Sequence, residues 1–164
     1  MKKNVIVSLA DSNYFPLLDE LINSIKRFKE SSNVAICILD AGLTIEQKDI
    51  LSTKVDEIKS AEWDIDVPDN KIKGREWLKS QVSRAFLPKY FPSYEKYLWI
   101  DADAWVNSWE AVDLYLRGCE KNKLAIATSA DRAYGRILLA TCLLLSMLLV
   151  LELRLFLLAT RLLL

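Results

Sequence analysis

Two carboxylates one residue apart, Asp101 and Asp103, close the apolar run Tyr97-Leu98-Trp99-Ile100, with Ala102 between them and Ala104-Trp105-Val106 behind. Ionised carboxylates withdrawn from water are costly unless a cation or hydrogen-bond donors compensate them. In a continuing strand, residues i and i+2 point the same way, so the two aspartates would converge on one point. Hard divalent cations such as Mg²⁺ and Mn²⁺ prefer such oxygens and keep open positions for substrate phosphates. The pattern points to a metal–diphosphate site. The competing reading is a strand end followed by an Asp-rich turn, with Asp103 capping the next segment.

The elements that must position this pair are legible as an alternation. Residues 5–10 form an apolar run broken only by Ser8, as expected of a strand covered on both faces. Asp11-Ser12-Asn13 breaks it and offers helix caps. Phe15, Leu18, Leu21, Ile22, Ile25 and Phe28 then recur at helical spacing over 14–29, with Pro16 in the first turn. Asp19 and Glu20 lie early in it and Lys26, Arg27 and Lys29 late, the sense that suits the helix dipole.

A second strand is predicted over 34–39, ending at Asp40, then a helix over 44–55 capped by Thr44 with Glu46 and Gln47 in its first turn. A weaker strand follows at 57–63, a loop at 64–70, and a helix from Gly74 that stops at Pro88. Beyond the acidic pair, Ser108 caps a helix over 109–116 that Gly118 ends, and 124–128 reads as a further strand. This order predicts an α/β fold, a mainly parallel sheet with helices on both sides. Ligands bind such sheets outside the carboxyl ends of the strands, where Asp11, Asp40 and Asp101 all fall.

Composition excludes several classes. The 164 residues carry 22 basic and 22 acidic side chains, without the basic stripe of a nucleic-acid binder. Histidine is absent, which removes a Ser-His-Asp triad, a Cys-His pair and any His-ligated metal. The four glycines form no Gly-X-Gly, so neither a dinucleotide fingerprint nor a P-loop is present. Cys37, Cys119 and Cys142 have no metal-ligand spacing and read as reduced thiols in a cytoplasmic setting.

Ala10-Asp11-Ser12-Asn13-Tyr14 resembles the uridine-binding opening of the retaining GT-A-fold glycosyltransferases, the family 8 branch that includes glycogenin and the lipopolysaccharide galactosyltransferases. Ser83-Arg84-Ala85-Phe86-Leu87-Pro88, followed by Pro92 through Asp103, resembles the same family's approach to its Asp-X-Asp motif. The likeness runs over about residues 4–135 and implies the N-terminal half of a GT-A sheet.

That resemblance implies a metal-dependent transfer of a sugar from a UDP-type donor to a glycan, lipid or protein acceptor, with retention. It places Tyr14 on the base, Asp11 and Asn13 on the uridine, and Arg84 on the sugar or diphosphate. Asp101 and Asp103 would hold Mn²⁺, with Mg²⁺ as the alternative, and Asp101 would also touch the donor. No catalytic residue is assigned. The family ordinarily adds a downstream histidine ligand, which this chain lacks.

The likeness fades after Arg136, which sets the expected domain at 1–136. Residues 137–164 are a tail with 15 leucines in 28 residues. Its uncharged stretch, 137–151, would span about 22 Å as a helix, short of the ~30 Å hydrocarbon core. Three readings stand: a truncated or frame-shifted C-terminus, a membrane-associating helix at the inner face of a membrane, and a buried core helix. The alternative function is therefore an inactive nucleotide-binding remnant.

Overall fold

A computed structural model describes residues 2–68, 72, 74–120 and 123–125. The chain divides into units Met1–Ala125 and Ile126–Leu164, and the described residues all fall in the first. The expected boundary at 136 and the leucine-rich tail lie outside them. Among the described residues no helix is long and apolar enough to cross a membrane.

Four parallel strands, β1 (Asn4–Ala10), β2 (Val34–Asp40), β3 (Glu57–Ser60) and β4 (Lys96–Trp99), form one sheet in the order β3-β2-β1-β4. β1 pairs Val7 with Cys37 on one side and with Trp99 on the other. The apolar runs of β1, interrupted only by Ser8, and of β2 are buried on both faces, as their sequence demands.

The first face carries Ile6, Ala10, Ile36 and Ile38 beneath α1 (Phe15–Lys26), α2 (Ile45–Ser52) and α5 (Trp109–Gly118), which contribute Leu18, Ile22, Leu51, Val112 and Leu116. The second carries Val5, Val7, Cys37 and Leu39 beneath a helical stretch between β3 and β4, which contributes Leu87, Tyr90 and Phe91. The chain steps outward from β1 to β3 through α1 and α2 on one face. It then crosses back over the other face to place β4 beside β1. Keeping both crossovers right-handed requires this change of face. The switch point therefore falls between the carboxyl ends of β1 and β4.

Several boundaries depart from expectation. α1 stops at Lys26, and a 3₁₀ turn, Lys29–Asn33, leads into β2, so Phe28 packs on the core from outside the helix. Asp19 does not serve the helix dipole; its carboxylate pairs with Lys54 at 2.6 Å, tying α1 to the end of α2. The helix predicted from Gly74 to Leu87, stopping at Pro88, is a chain of short pieces. These are the 3₁₀ turn Glu76–Leu78, α3 (Lys79–Ser83), the 3₁₀ turn Arg84–Phe86 and α4 (Leu87–Tyr90). Pro88 does not end it but sits in the first turn of α4, because its missing N–H and its ring break the ladder one turn earlier.

Thr44 and Gln47 form the full capping box at α2, although the helix ends at Ser52, three residues early. Ser108 occupies the N-cap position of α5, but its hydroxyl bonds the Glu110 carboxylate rather than a backbone N–H. Leu124 and Ala125 are not in a strand, and the rest of the predicted strand at 124–128 lies outside the described residues. Cys37 and Cys119 are free thiols.

Candidate functional site

At the carboxyl ends of β1 and β4 lies a cavity of about 340 Å³, with Asp11, Tyr14, Arg84, Asp101 and Asp103 in its wall. Three stretches far apart in sequence meet there. The first is the turn after β1. Asp11 Oδ1 accepts from the backbone N–H groups of Asn13 and Tyr14, both at 3.0 Å, which folds the chain into the start of α1. Asp11 is thus the hinge of its turn as well as a cavity residue, and the helix caps expected here are not made: Tyr14 stands at the N-cap position without a side-chain cap. Tyr14 is 48% exposed. Asn13, expected beside it, is not in the cavity wall.

The second stretch is the helical approach to Pro88. Trp77, Ser80, Gln81 and Arg84 all line the cavity. Their i, i+3, i+4, i+7 spacing is one helical stripe, a signal present in the sequence that had pointed only to Arg84. Arg84 Nε donates to the Ser80 carbonyl at 3.0 Å, and its guanidinium carbon lies 5.1 Å from the centroid of the Trp99 ring.

The third stretch carries the acidic pair. β4 ends at Trp99 and does not continue through Asp103. One further ladder bond, from the Ile100 N–H to the Val7 carbonyl at 3.1 Å, is followed by a tight turn in which the Ala104 N–H donates to the Asp101 carbonyl at 3.0 Å. The strand geometry inferred for the pair is therefore corrected to a turn. Both aspartates still reach the same cavity, because the turn is short and its middle residue, Ala102, is buried as an anchor.

Asp101 Oδ1 accepts from Arg84 Nη2 at 2.8 Å and from Trp99 Nε1 at 2.7 Å. The chain beyond the turn is fastened to α1. The Val106 N–H donates to the Ser24 hydroxyl at 3.0 Å, and Arg27 Nη2 donates to the carbonyls of Val106 at 2.8 Å and Asn107 at 3.2 Å.

Asp40 does not join the site. Gly42, at φ +128°, turns the backbone so that the N–H groups of Gly42 and Leu43 donate to Asp40 Oδ1 at 2.7 and 2.6 Å, while Lys48 reaches Oδ2 at 3.2 Å. Burial works to raise the carboxyl's pKa, but the Leu43 and Gly42 N–H groups and the Lys48 ammonium outweigh it and hold it below its ordinary value. Asp40 shapes its loop. That loop in turn braces the one after β1, through Ser12 N–H to the Gly42 carbonyl at 3.1 Å and Gln47 Nε2 to the Ser12 carbonyl at 3.1 Å.

Two carboxylates on one tight turn, facing a shared cavity, fit a hard divalent cation that takes one or two protein oxygens and fills its remaining positions with phosphate and water. Among the described residues no group of three His, Cys, Asp or Glu side chains is placed to hold a metal. The donor set suits a metal held jointly with a diphosphate, not one caged by protein.

Residues 5–129 match the sequence profile of Glycosyl transferase family 8. Among solved structures, an active-site mutant of LgtC is similar at 20% identity and TM-score 0.50, covering 68% of this chain and 41% of LgtC. The bifunctional glycosyltransferase WbbM in its apo form is similar at 22% identity and TM-score 0.51, covering 68% of this chain and 21% of WbbM. The chain thus spans well under half the length of either. Among curated proteins no sequence match was found. The fold shared with these structures bears out the expected GT-A type of α/β sheet over its N-terminal part.

Proposed function

The chain belongs to glycosyl transferase family 8, and from that premise we propose that it binds a uridine-type nucleoside-diphosphate sugar with a divalent metal and transfers the sugar, with retention, to a glycan, lipid or protein acceptor. One observation carries the reading: Asp11, Tyr14, Arg84, Asp101 and Asp103, drawn from three separate stretches, line a single cavity at the switch point of the sheet.

In this reading Tyr14 offers its half-exposed ring to the base. Asp11 engages its own turn through Oδ1 alone, and the carboxylate serves the uridine from its other oxygen. Asn13, outside the cavity wall, contributes through the backbone of the same turn. Arg84 brings a fixed positive charge to the diphosphate or sugar. Asp101 and Asp103 would hold Mn²⁺ or Mg²⁺, which when bound neutralises the departing diphosphate as a Lewis acid.

A second reading is a chain that binds the nucleotide without turning it over. Among the described residues no third His, Cys, Asp or Glu side chain joins Asp101 and Asp103 in a metal-holding group, which favours it. Calorimetry with UDP, with and without Mn²⁺, tests the common part: binding that depends on the metal and vanishes in Asp103→Ala supports both readings. Equal binding in that variant overturns the metal assignment. Release of sugar from a radiolabelled UDP-sugar with Mn²⁺ then separates the enzyme from the binder.

A further inference from the structure

We propose that Trp99 is a positioning residue that fixes Asp101 for its metal and diphosphate, an inference that rests on the functional reading above. The indole Nε1–H donates to Asp101 Oδ1 at 2.7 Å, and Arg84 Nη2 donates to that same oxygen at 2.8 Å. Two donors on one oxygen fix the carboxylate's rotation and use up Oδ1, so the charge left for a cation is delivered through Oδ2. The indole also supports the second donor, because the Arg84 guanidinium lies over its ring.

Trp99 is itself held. It is the last residue of β4, paired with Val7 in the central strand, and its ring packs against the buried cluster of the second sheet face. The carboxylate stands in an exposed turn, whereas its anchor belongs to the sheet. A carboxylate so exposed would otherwise sample several rotamers, and each would have to be frozen when the ligand arrives. An aromatic ring without an N–H, smaller than the indole, would keep a face for the Arg84 guanidinium but lose the tether.

Trp99→Phe is that change. In calorimetry of the full chain with UDP, it is expected to weaken Mn²⁺-dependent binding about 10- to 100-fold, the range typical when the partner that orients a metal ligand is removed. Binding of UDP without metal falls by less, because Tyr14 and Arg84 remain in the cavity wall. In an Asp101→Asn background the same change has no further effect. An unaltered Mn²⁺-dependent affinity overturns the proposal. So does an equal loss in the Asp101→Asn background, since Trp99 would then act on the nucleotide directly.

A second measurement does not depend on the variant's folding. The Trp99 indole N–H signal in a ¹⁵N correlation spectrum should move in Asp101→Asn, and a signal that stays in place overturns the tether. Wild-type chain that binds no UDP with Mn²⁺ overturns the functional reading instead, and the indole signal still decides whether Trp99 holds Asp101.

Discussion

The hydroxyl of Ser24, on the buried face of α1, accepts a hydrogen bond from the backbone N–H of Val106 at 3.0 Å, while donating to the Leu21 carbonyl at 2.7 Å. A helix thus holds the chain three residues beyond the acidic pair. Ser24 is 1% exposed, so no water replaces it. Ser24→Ala leaves the Val106 N–H buried and unpaired, which costs about 1–3 kcal/mol. Urea unfolding should show that loss, and calorimetry should show weaker Mn²⁺-dependent UDP binding, because the turn that carries Asp101 and Asp103 is no longer fastened from behind.

Tyr14 separates nucleotide recognition from folding. Its ring is half-exposed at the mouth of the cavity, so Tyr14→Ala should change stability by no more than about 0.5 kcal/mol. Loss of a base stacked on an aromatic ring costs about 1–3 kcal/mol. UDP affinity should therefore fall by that amount with and without metal, whereas Asp103→Ala removes only the metal-dependent part. A Tyr14→Ala chain that binds UDP normally would show that the base lies elsewhere.

Asp40 predicts an acid limb in the stability profile. Its carboxyl is held below the ordinary 3.8, so its contribution is fully present above that value and is lost as pH falls through the lower, folded one. Asp40→Asn keeps an oxygen for the Gly42 and Leu43 N–H groups but gives up the charge, at a cost of about 1.5 kcal/mol at pH 7. Urea unfolding of both chains at pH 7 and pH 3 should show the gap narrowing in acid. A constant gap would mean that the charge contributes nothing.

Cys37 should resist alkylation. Burial pushes its thiol up to about 11, and the Tyr94 hydroxyl beside it only partly offsets this. At pH 8 roughly one molecule in a thousand would carry the thiolate. Peptide mapping after brief iodoacetamide treatment should find the Cys37 peptide unlabelled until denaturant is added, and the half-buried Cys119 modified before it.

Most of the scaffold was legible because its signals are local. The continuous apolar runs of β1 and β2 announce burial on both faces, and Thr44 with Gln47 announces a capping box that the structure makes. The site was legible in its residues but not in its geometry. A period of two treats Asp101 and Asp103 as strand neighbours; only the bond from Ala104 to Asp101 turns them into a loop. Asp11, Asp40 and Asp101 look alike at three strand ends. What distinguishes Asp40 is the backbone of Gly42, whose φ of +128° spends that carboxylate on its own loop. Trp77 and Gln81 share a helical stripe with Arg84, but the stripe crosses 3₁₀ and α pieces, and the resemblance singled out Arg84 alone.

The strand order also has a consequence for the growing chain. β1 is made first and is paired by β2 within forty residues, but its other edge waits for β4 at Lys96–Trp99. During that interval a nearly all-apolar strand presents an unpaired ladder of N–H and C=O groups, the template on which chains join edge to edge. The switch point that makes room for a nucleotide is thus also, among the described strands, the last seam of the sheet to close. Substitutions in β4 should lower the yield of soluble protein during synthesis more than their effect on the finished fold would suggest.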